Sequence, residues 1–164
     1  MLPLRIPSIA PLALPLRLVP VRFHSGALAL ALNQVMSGAL ADGELDFLAG
    51  RRLEIRVEDL GLRYCLGLSG RQLVGFGTEA AADASIAGDL RELLLLAARR
   101  EDADTLFFQR RLRMSGDTEL GLYVKNFLDA FEPPERWRPL VRALDQLAGW
   151  MQTEFLRDSH VVRR

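Results

Sequence analysis

Apolar and polar residues change their period several times along this chain, and each change marks an element. Leu28, Leu32, Val35, Met36, Ala39 and Leu40 recur at helical spacing, which predicts an amphipathic helix over 26–41 with Ser25 as its cap. Asp42-Gly43 ends it, and Phe47 and Leu48 lead through Gly50 to a period of two. Leu53, Ile55 and Val57 then alternate with Glu54, Arg56 and Glu58, the pattern of a half-buried strand. Asp59-Leu60-Gly61 turns the chain. Leu62, Tyr64, Leu66 and Leu68 alternate with Arg63, Cys65 and Gly67, so Cys65 takes the outward parity. Ser69-Gly70 turns again before Gln72–Gly77. The reading is an antiparallel meander with one apolar face.

Ala84–Ala87 suggests a short fourth strand. Asp89 and Glu92 resemble a capping box ahead of a leucine-rich helix over 90–100, with Leu90, Leu93, Leu94 and Ala97 as its stripe. Asp104 is placed to cap a short helix over 105–109, and Leu112 and Met114 share one side of a strand over 111–115. Gly116-Asp117 opens a helix over 118–131 whose stripe is Leu120, Val124, Phe127, Leu128 and Phe131. After Pro133-Pro134 a final helix, 135–156, carries Trp137, Leu140, Val141, Leu144, Ala148, Met151 and Phe155 on one face, with Trp150 on the other. The fold class that follows is α+β: an antiparallel sheet of about five strands covered by helices, with an extra C-terminal helix. Its parts are an arm at 1–24, a core at 25–131, the amphipathic helix at 132–157 and a loose tail at 158–164.

The arm has a different composition. Pro3, Pro7, Pro11 and Pro15 recur every four positions, with Pro20 beyond, and proline at that density breaks a continuous helix. Leu, Ile, Val and Ala fill the gaps. Arg5, Arg17 and Arg22 precede the first acid, Asp42. Two readings stand: an arm packed on its own domain, or one that meets an anionic lipid surface through those arginines, with Trp150 as an interfacial anchor. The apolar run at 27–32 followed by Ala39-Leu40-Ala41 imitates a signal-peptide cleavage site, yet cleavage there would delete a helix the core needs. No run of ~20 apolar residues is present to span a bilayer.

Charge and chemistry narrow the function further. The 21 basic and 21 acidic residues of the 164 cancel, and Lys125 is the single lysine. No basic excess argues for nucleic acid. One cysteine, Cys65, excludes an internal disulfide, and two histidines, His24 and His160, supply no metal framework; a reducing cytoplasm fits. No dinucleotide or phosphate-loop motif occurs. Cys65 lacks a histidine partner by parity, and Glu101, Asp102 and Asp104 read more simply as complements to a helix dipole than as a cation site. No catalytic residue and no metal ligand is therefore expected. What the chain has in surplus is apolar surface, which either packs solid or encloses a cleft.

Residues 39–50, ALADGELDFLAG, and above all 97–130, AARREDADTLFFQRRLRMSGDTELGLYVKNFLDA, carry a resemblance to the UbiT family of ubiquinone biosynthesis accessory factors, which belongs to the sterol-carrier-protein type of lipid-binding domain. Asp102–Phe108, Gly116-Asp117-Thr118-Glu119-Leu120-Gly121 and Lys125-Asn126 are its most specific blocks, and the likeness runs over about residues 27–131. It implies helices that enclose an apolar tunnel and a non-catalytic role in oxygen-independent ubiquinone synthesis. It also implies UbiU–UbiV hydroxylase partners, other ubiquinone biosynthesis proteins and an isoprenoid lipid ligand. No cofactor is implied; the bound lipid would be ubiquinone, a polyprenyl-phenol precursor or a phospholipid. The expected location is the cytoplasm, with peripheral attachment to the inner membrane and room for an oligomer. Parity and stripe, rather than the resemblance, nominate the lipid-contact residues: Leu53, Ile55, Val57, Tyr64, Leu66, Leu68, Leu94, Leu112, Met114, Val124, Phe127 and Phe131. The competing reading is a protein-interaction scaffold with a solid core that docks through helix 135–156.

Overall fold

Pro20 decides where the first helix starts. A computed structural model describes residues 18–77, 79, 81–147 and 149, and its first full helix, α1, spans Val21–Val35 with Pro20 at the N-cap. The expected start at Ser25 is therefore corrected. Proline's fixed φ and missing N–H suit the position before a helix, and Ser25 lies a turn inside it, fully buried, with its hydroxyl engaged elsewhere. The expected single helix 26–41 is also two: Met36 breaks it, and α2 spans Ser37–Asp42 before Gly43 closes it at φ 77°, a left-handed conformation suited to glycine. Arg5 and Arg17, most of the 1–24 arm, Trp150 and the tail from 151 lie outside the described residues.

A short 3₁₀ turn at Asp46–Leu48 leads into β1 (Arg52–Val57), β2 (Leu62–Ser69) and β3 (Gln72–Phe76). Then come β4 (Ala84–Gly88), α3 (Leu90–Ala97), α4 (Ala103–Phe108), β5 (Leu112–Gly116) and α5 (Thr118–Ala130). A 3₁₀ turn at Glu135–Trp137 runs into a helix, α6, described over 138–147. The five strands form one sheet in the order β3-β2-β1-β4-β5. Every neighbouring pair is antiparallel except β1–β4. That parallel pair follows from register. Phe76 ends β3 opposite Cys65, which itself faces Glu54 near the start of β1. β4 then begins beside Leu53, running the same way as β1.

One face of the sheet is roofed. Leu53, Leu66, Leu73, Ala84 and Ile86 pack there with Ala29 of α1, Ala39 and Leu40 of α2, Leu45, Leu48, and Leu120 and Val124 of α5. A second, smaller cluster at the far end joins Val57, Leu60 and Leu62. The opposite face is charged: Glu54, 6% exposed, lies under the guanidinium groups of Arg56 and Arg63. Burial alone would raise the Glu54 carboxyl, but hydrogen bonds from both arginines overturn that and hold it below its usual range. Cys65 keeps the outward parity expected of it and is nonetheless buried, with burial pushing its thiol pKa up.

Three helix-start expectations are revised. Asp89 stands at the N-cap of α3 without a side-chain cap bond; Asp59 Oδ1 accepts from Leu90 N at 2.9 Å instead. Glu92 turns inward to Arg91 and Arg111, at 2.8 and 2.5 Å, so Leu95 and Ala98, rather than Ala97, occupy the buried side of α3. Asp102, rather than Asp104, caps α4 through Thr105 N at 2.7 Å. Asp104 pairs with Lys125.

α1 crosses β3 and β2 at close range. A Cβ on Gly75 would fall on the backbone of Ser25 and Gly26, whereas one on Gly38 in α2 would meet nothing. Gly75→Ala should therefore lower unfolding free energy by about 1–3 kcal/mol through forced separation of helix and strand. Gly38→Ala should be neutral or stabilising by up to about 1 kcal/mol. Chemical denaturation of the two variants checks the contrast; equal effects would mean the contact at Gly75 is not tight.

Candidate apolar site beneath the helical roof

Strand register sorts the nominated residues into rows across the roofed face. Gly75, Leu66, Leu53, Ala84 and Gly116 form one row and Leu62, Val57, Gly88 and Leu112 another; Gly75 is half-buried and Gly116 exposed, and the other seven are buried. Between them runs Tyr64, Ile55, Ile86 and Met114. Of these only Ile86 is sealed; Tyr64, Ile55 and Met114 are half-buried, although Ile55 lies on the central strand. The row coincides with the divide between the two apolar clusters: Ile55 packs against the larger, Tyr64 against the smaller, and Leu93 of α3 against both. The roof is thus closed over both ends of the sheet and leaves a seam across its middle.

α5 borders that seam. Gly121 admits the sulfur of Met114, which a Cβ there would strike. Val124 is buried and Phe127 and Phe131 are half-buried. The aromatic side chains form a connected track: Tyr123 to Phe47 at 6.0 Å, Phe47 to Phe127 at 6.1 Å, and Phe127 to Phe131 at 5.3 Å between ring centroids. At the Tyr123 end a half-open cleft of about 330 Å³ is lined by Phe47, Arg51, Glu119, Leu120 and Tyr123, toward the lower limit of small-molecule sites, roughly 300–1,000 Å³. Arg51 is held at the rim by the Asp117 carboxylate, whose other oxygen caps α5 through Leu120 N at 2.9 Å.

The nominated residues therefore divide. Ile55, Tyr64, Met114, Phe127 and Phe131 lie on the seam or the aromatic track. Leu53, Val57, Leu66, Leu112 and Val124 are enclosed core, while Leu68 and Leu94 are half-buried outside the seam row. Phe47, Arg51, Glu119, Leu120 and Tyr123 were not among the nominated contacts. Tyr123 had a legible signal: it stands three residues after Leu120 and four before Phe127, on the same helical stripe. Of the membrane-contact nominees, Arg22 is described; it is exposed and lies over the Phe23 ring, 5.7 Å from its centroid. Glu101, Asp102 and Asp104 are each engaged, by Arg111, Thr105 N and Lys125 respectively.

His24 meets Tyr64 edge-on, centroids 5.0 Å apart, at the seam's α1 end. Burial lowers its pKa from the ordinary 6.5, so the unfolded chain takes up the proton first as pH falls. The resulting stability is fully present above about 6.5 and is lost below it. Melting temperature should thus drop more between pH 7.5 and 5.5 in the wild type than in His24→Phe, which keeps a ring against Tyr64; equal drops would mean that His24 is not the group responsible.

Comparison with known proteins agrees with this architecture. Residues 30–129 match the SCP-2 sterol transfer family. The chain is 44% identical over 141 residues to the ubiquinone biosynthesis accessory factor UbiT of Escherichia coli (strain K12), covering 86% of this chain and 80% of that protein. The UbiT of Escherichia coli O157:H7 matches to the same extent. Among solved structures, a UbiJ-SCP2 ubiquinone synthesis protein shares the fold with a TM-score of 0.54 at 20% identity, over 65% of this chain and 94% of that one. A five-stranded sheet roofed by helices, matched over its whole span by that family and aligned end to end of the core with UbiT, establishes that the chain belongs to the SCP-2 sterol transfer family, in its UbiT branch.

Proposed function

We propose that this protein is a non-catalytic lipid-binding accessory factor of ubiquinone biosynthesis, holding ubiquinone or an isoprenoid precursor by its tail. The observation that carries the reading is the unsealed seam: Ile55, Tyr64 and Met114 are large apolar side chains in the middle row of the roofed face, and Ile55 lies on its central strand, yet all three are half-buried. A solid-core scaffold would seal them. A tail laid along Phe127 and Phe131 would complete their burial at ~0.8 kcal/mol per CH₂. Because the cleft holds about 330 Å³, a long polyprenyl chain also requires α5 to part from the sheet. The role is cytoplasmic and oxygen-independent, delivering the precursor ring to UbiU–UbiV hydroxylase partners; these specifics rest on the likeness to UbiT.

Organic extraction and mass spectrometry of purified protein should recover quinone, polyprenyl-phenol or phospholipid near one equivalent. Phe127→Leu should lower that occupancy while costing under about 1.5 kcal/mol of stability. Cells without the protein should lose ubiquinone when grown without oxygen and keep most of it in air. Protein that is lipid-free and takes up none of these ligands would sink the reading.

The route to lipid is the outward face of α1. Phe23 and Leu30 are 63% and 70% exposed, Leu18 and Val19 precede them, and Arg22 stands beside Phe23. No helix among the described residues is long and apolar enough to cross a membrane. An apolar, arginine-flanked face of this kind lies on an anionic surface rather than through it, and Arg5, Arg17 and Trp150 would add to the attachment. Phe23→Ser combined with Leu30→Ser should weaken binding to phosphatidylglycerol vesicles roughly tenfold with the melting temperature nearly kept. A collapse in melting temperature with vesicle binding intact would instead make that face an internal contact.

A further inference from the structure

Among the described residues, four buried side-chain polar atoms make no hydrogen bond: Glu92 Oε2, Asp145 Oδ1, Trp137 Nε1 and His24 Nδ1. Ion pairs with Arg111 and Arg100 account for the two carboxylate oxygens. Trp137 stands next to Arg136, which binds Gln34 O and Ser37 Oγ beyond the last turn of α1. His24 lies in the first turn of that helix, where it meets Tyr64 edge-on at the seam. A buried polar atom without a partner has given up its hydrogen bond to water and is a sign of something still to be bound.

Tyr64 brings a second polar group to the same spot. Its ring packs on the Val57, Leu60 and Leu62 cluster, and its hydroxyl has no hydrogen-bond partner among the described residues. Beyond the pair the row is apolar: Ile55, Ile86 and Met114 continue it over β1, β4 and β5. Three strand spacings of ~4.8 Å give it a run of about 14 Å. An apolar track that ends in a few convergent polar groups is the form of site that orients an amphiphile.

The charge state of the pair sets what it takes. Burial shifts both groups, His24 downward and Tyr64 upward, and no ionised neighbour contributes to either; both are neutral at neutral pH. Arg22, two residues before His24, is exposed and lies over the Phe23 ring instead. A carboxylate or phosphate brought here would lose its water with no cation to replace it. An uncharged oxygen meets no such penalty. Tyr64 Oη donates to a hydroxyl or carbonyl oxygen, and a ligand hydroxyl donates to His24 Nδ1 when that nitrogen carries the lone pair.

We infer that His24 and Tyr64 form a head-group anchor at the α1 end of the seam, holding the uncharged oxygen of a hydroxyl- or carbonyl-bearing lipid while its tail runs over Ile55 toward Met114 and α5. This rests on the lipid-binding reading above and adds which end of the seam holds the head.

Calorimetric titration of the full chain with 2-farnesylphenol and farnesylbenzene, which differ by one hydroxyl, tests it. The wild type should bind the phenol roughly three- to tenfold more tightly, the worth of a net hydrogen bond. Tyr64→Phe and His24→Phe each keep a ring in place and should each lower that ratio. The double variant should bring it to one, with farnesylbenzene bound no more weakly than before and the melting temperature verifying the fold. At pH 7.5, 2-farnesylbenzoate, with a carboxylate in place of the hydroxyl, should bind roughly tenfold more weakly than the phenol. Equal binding of phenol and farnesylbenzene by the wild type, a preference that survives the double variant, or benzoate bound as tightly as phenol overturns the anchor while lipid binding itself stands. Should the double variant unfold, an unchanged ratio in both single variants has the same force. Binding of none of the three ligands removes both readings at once.

Discussion

The seating of α1 against β3 is the constraint on which the roof depends. Gly75 lets two backbones touch where a side chain would hold them apart, since a Cβ there would fall on the backbone of Ser25 and Gly26. Around that contact the helix supplies polar groups the sheet requires. Ser25 Oγ accepts from Cys65 N at 3.0 Å, and Asn33 both accepts from Leu73 N at 2.8 Å and donates to Leu73 O at 2.9 Å. Asn33 thereby imitates a neighbouring strand along β3, the sheet's edge, and closes a pairing surface that would otherwise invite another chain. With α1 fixed there, Ala29 reaches the core, α2 follows across the Met36 break, and the rows through Leu53 and Leu73 are covered. The row through Ile55 is left to α5 and α3.

α5 is held over the sheet from its ends by polar contacts. Asp117 caps its start and ties it to Arg51. Near its other end Asp129 Oδ1 accepts from Ala103 N at 2.9 Å, Lys125 joins Asp104 and Asp129, and Arg99 donates to the carbonyls of Leu128 and Asp129. Arg99 reaches them from a backbone φ of 57°, a left-handed conformation an arginine adopts at some cost. These residues brace the helix. The half-buried residues of the track, by contrast, are apolar.

Strands were legible because alternation has one interpretation: Leu53, Ile55 and Val57 against Glu54, Arg56 and Glu58 could only be a half-buried strand, and parity named the roofed face correctly. Helix starts were less legible, since several carboxylates near a start compete for it. Asp102 caps where Asp104 was expected because Asp104 is taken by Lys125, twenty-one residues on, and no local pattern displays that pairing. Ser25 was read as a cap for the same reason: its true partner, Cys65 N, is forty residues away. The parallel β1–β4 pair escaped notice because it depends on how far β3 extends before it stops. Parity likewise predicts which residues point inward but not how tightly a roof closes over them. The seam, and with it the split between Ile55 and Val57, needed three-dimensional register.

A roof left open along its middle has an energetic consequence. Ile55, Tyr64, Met114, Phe127 and Phe131 keep part of their apolar surface in water, and at ~25 cal/mol per Å² that surface represents stabilisation the empty protein does without. A tail bound as proposed would restore it, so ligand occupancy and stability would rise together, as they must for anything that binds the folded chain alone.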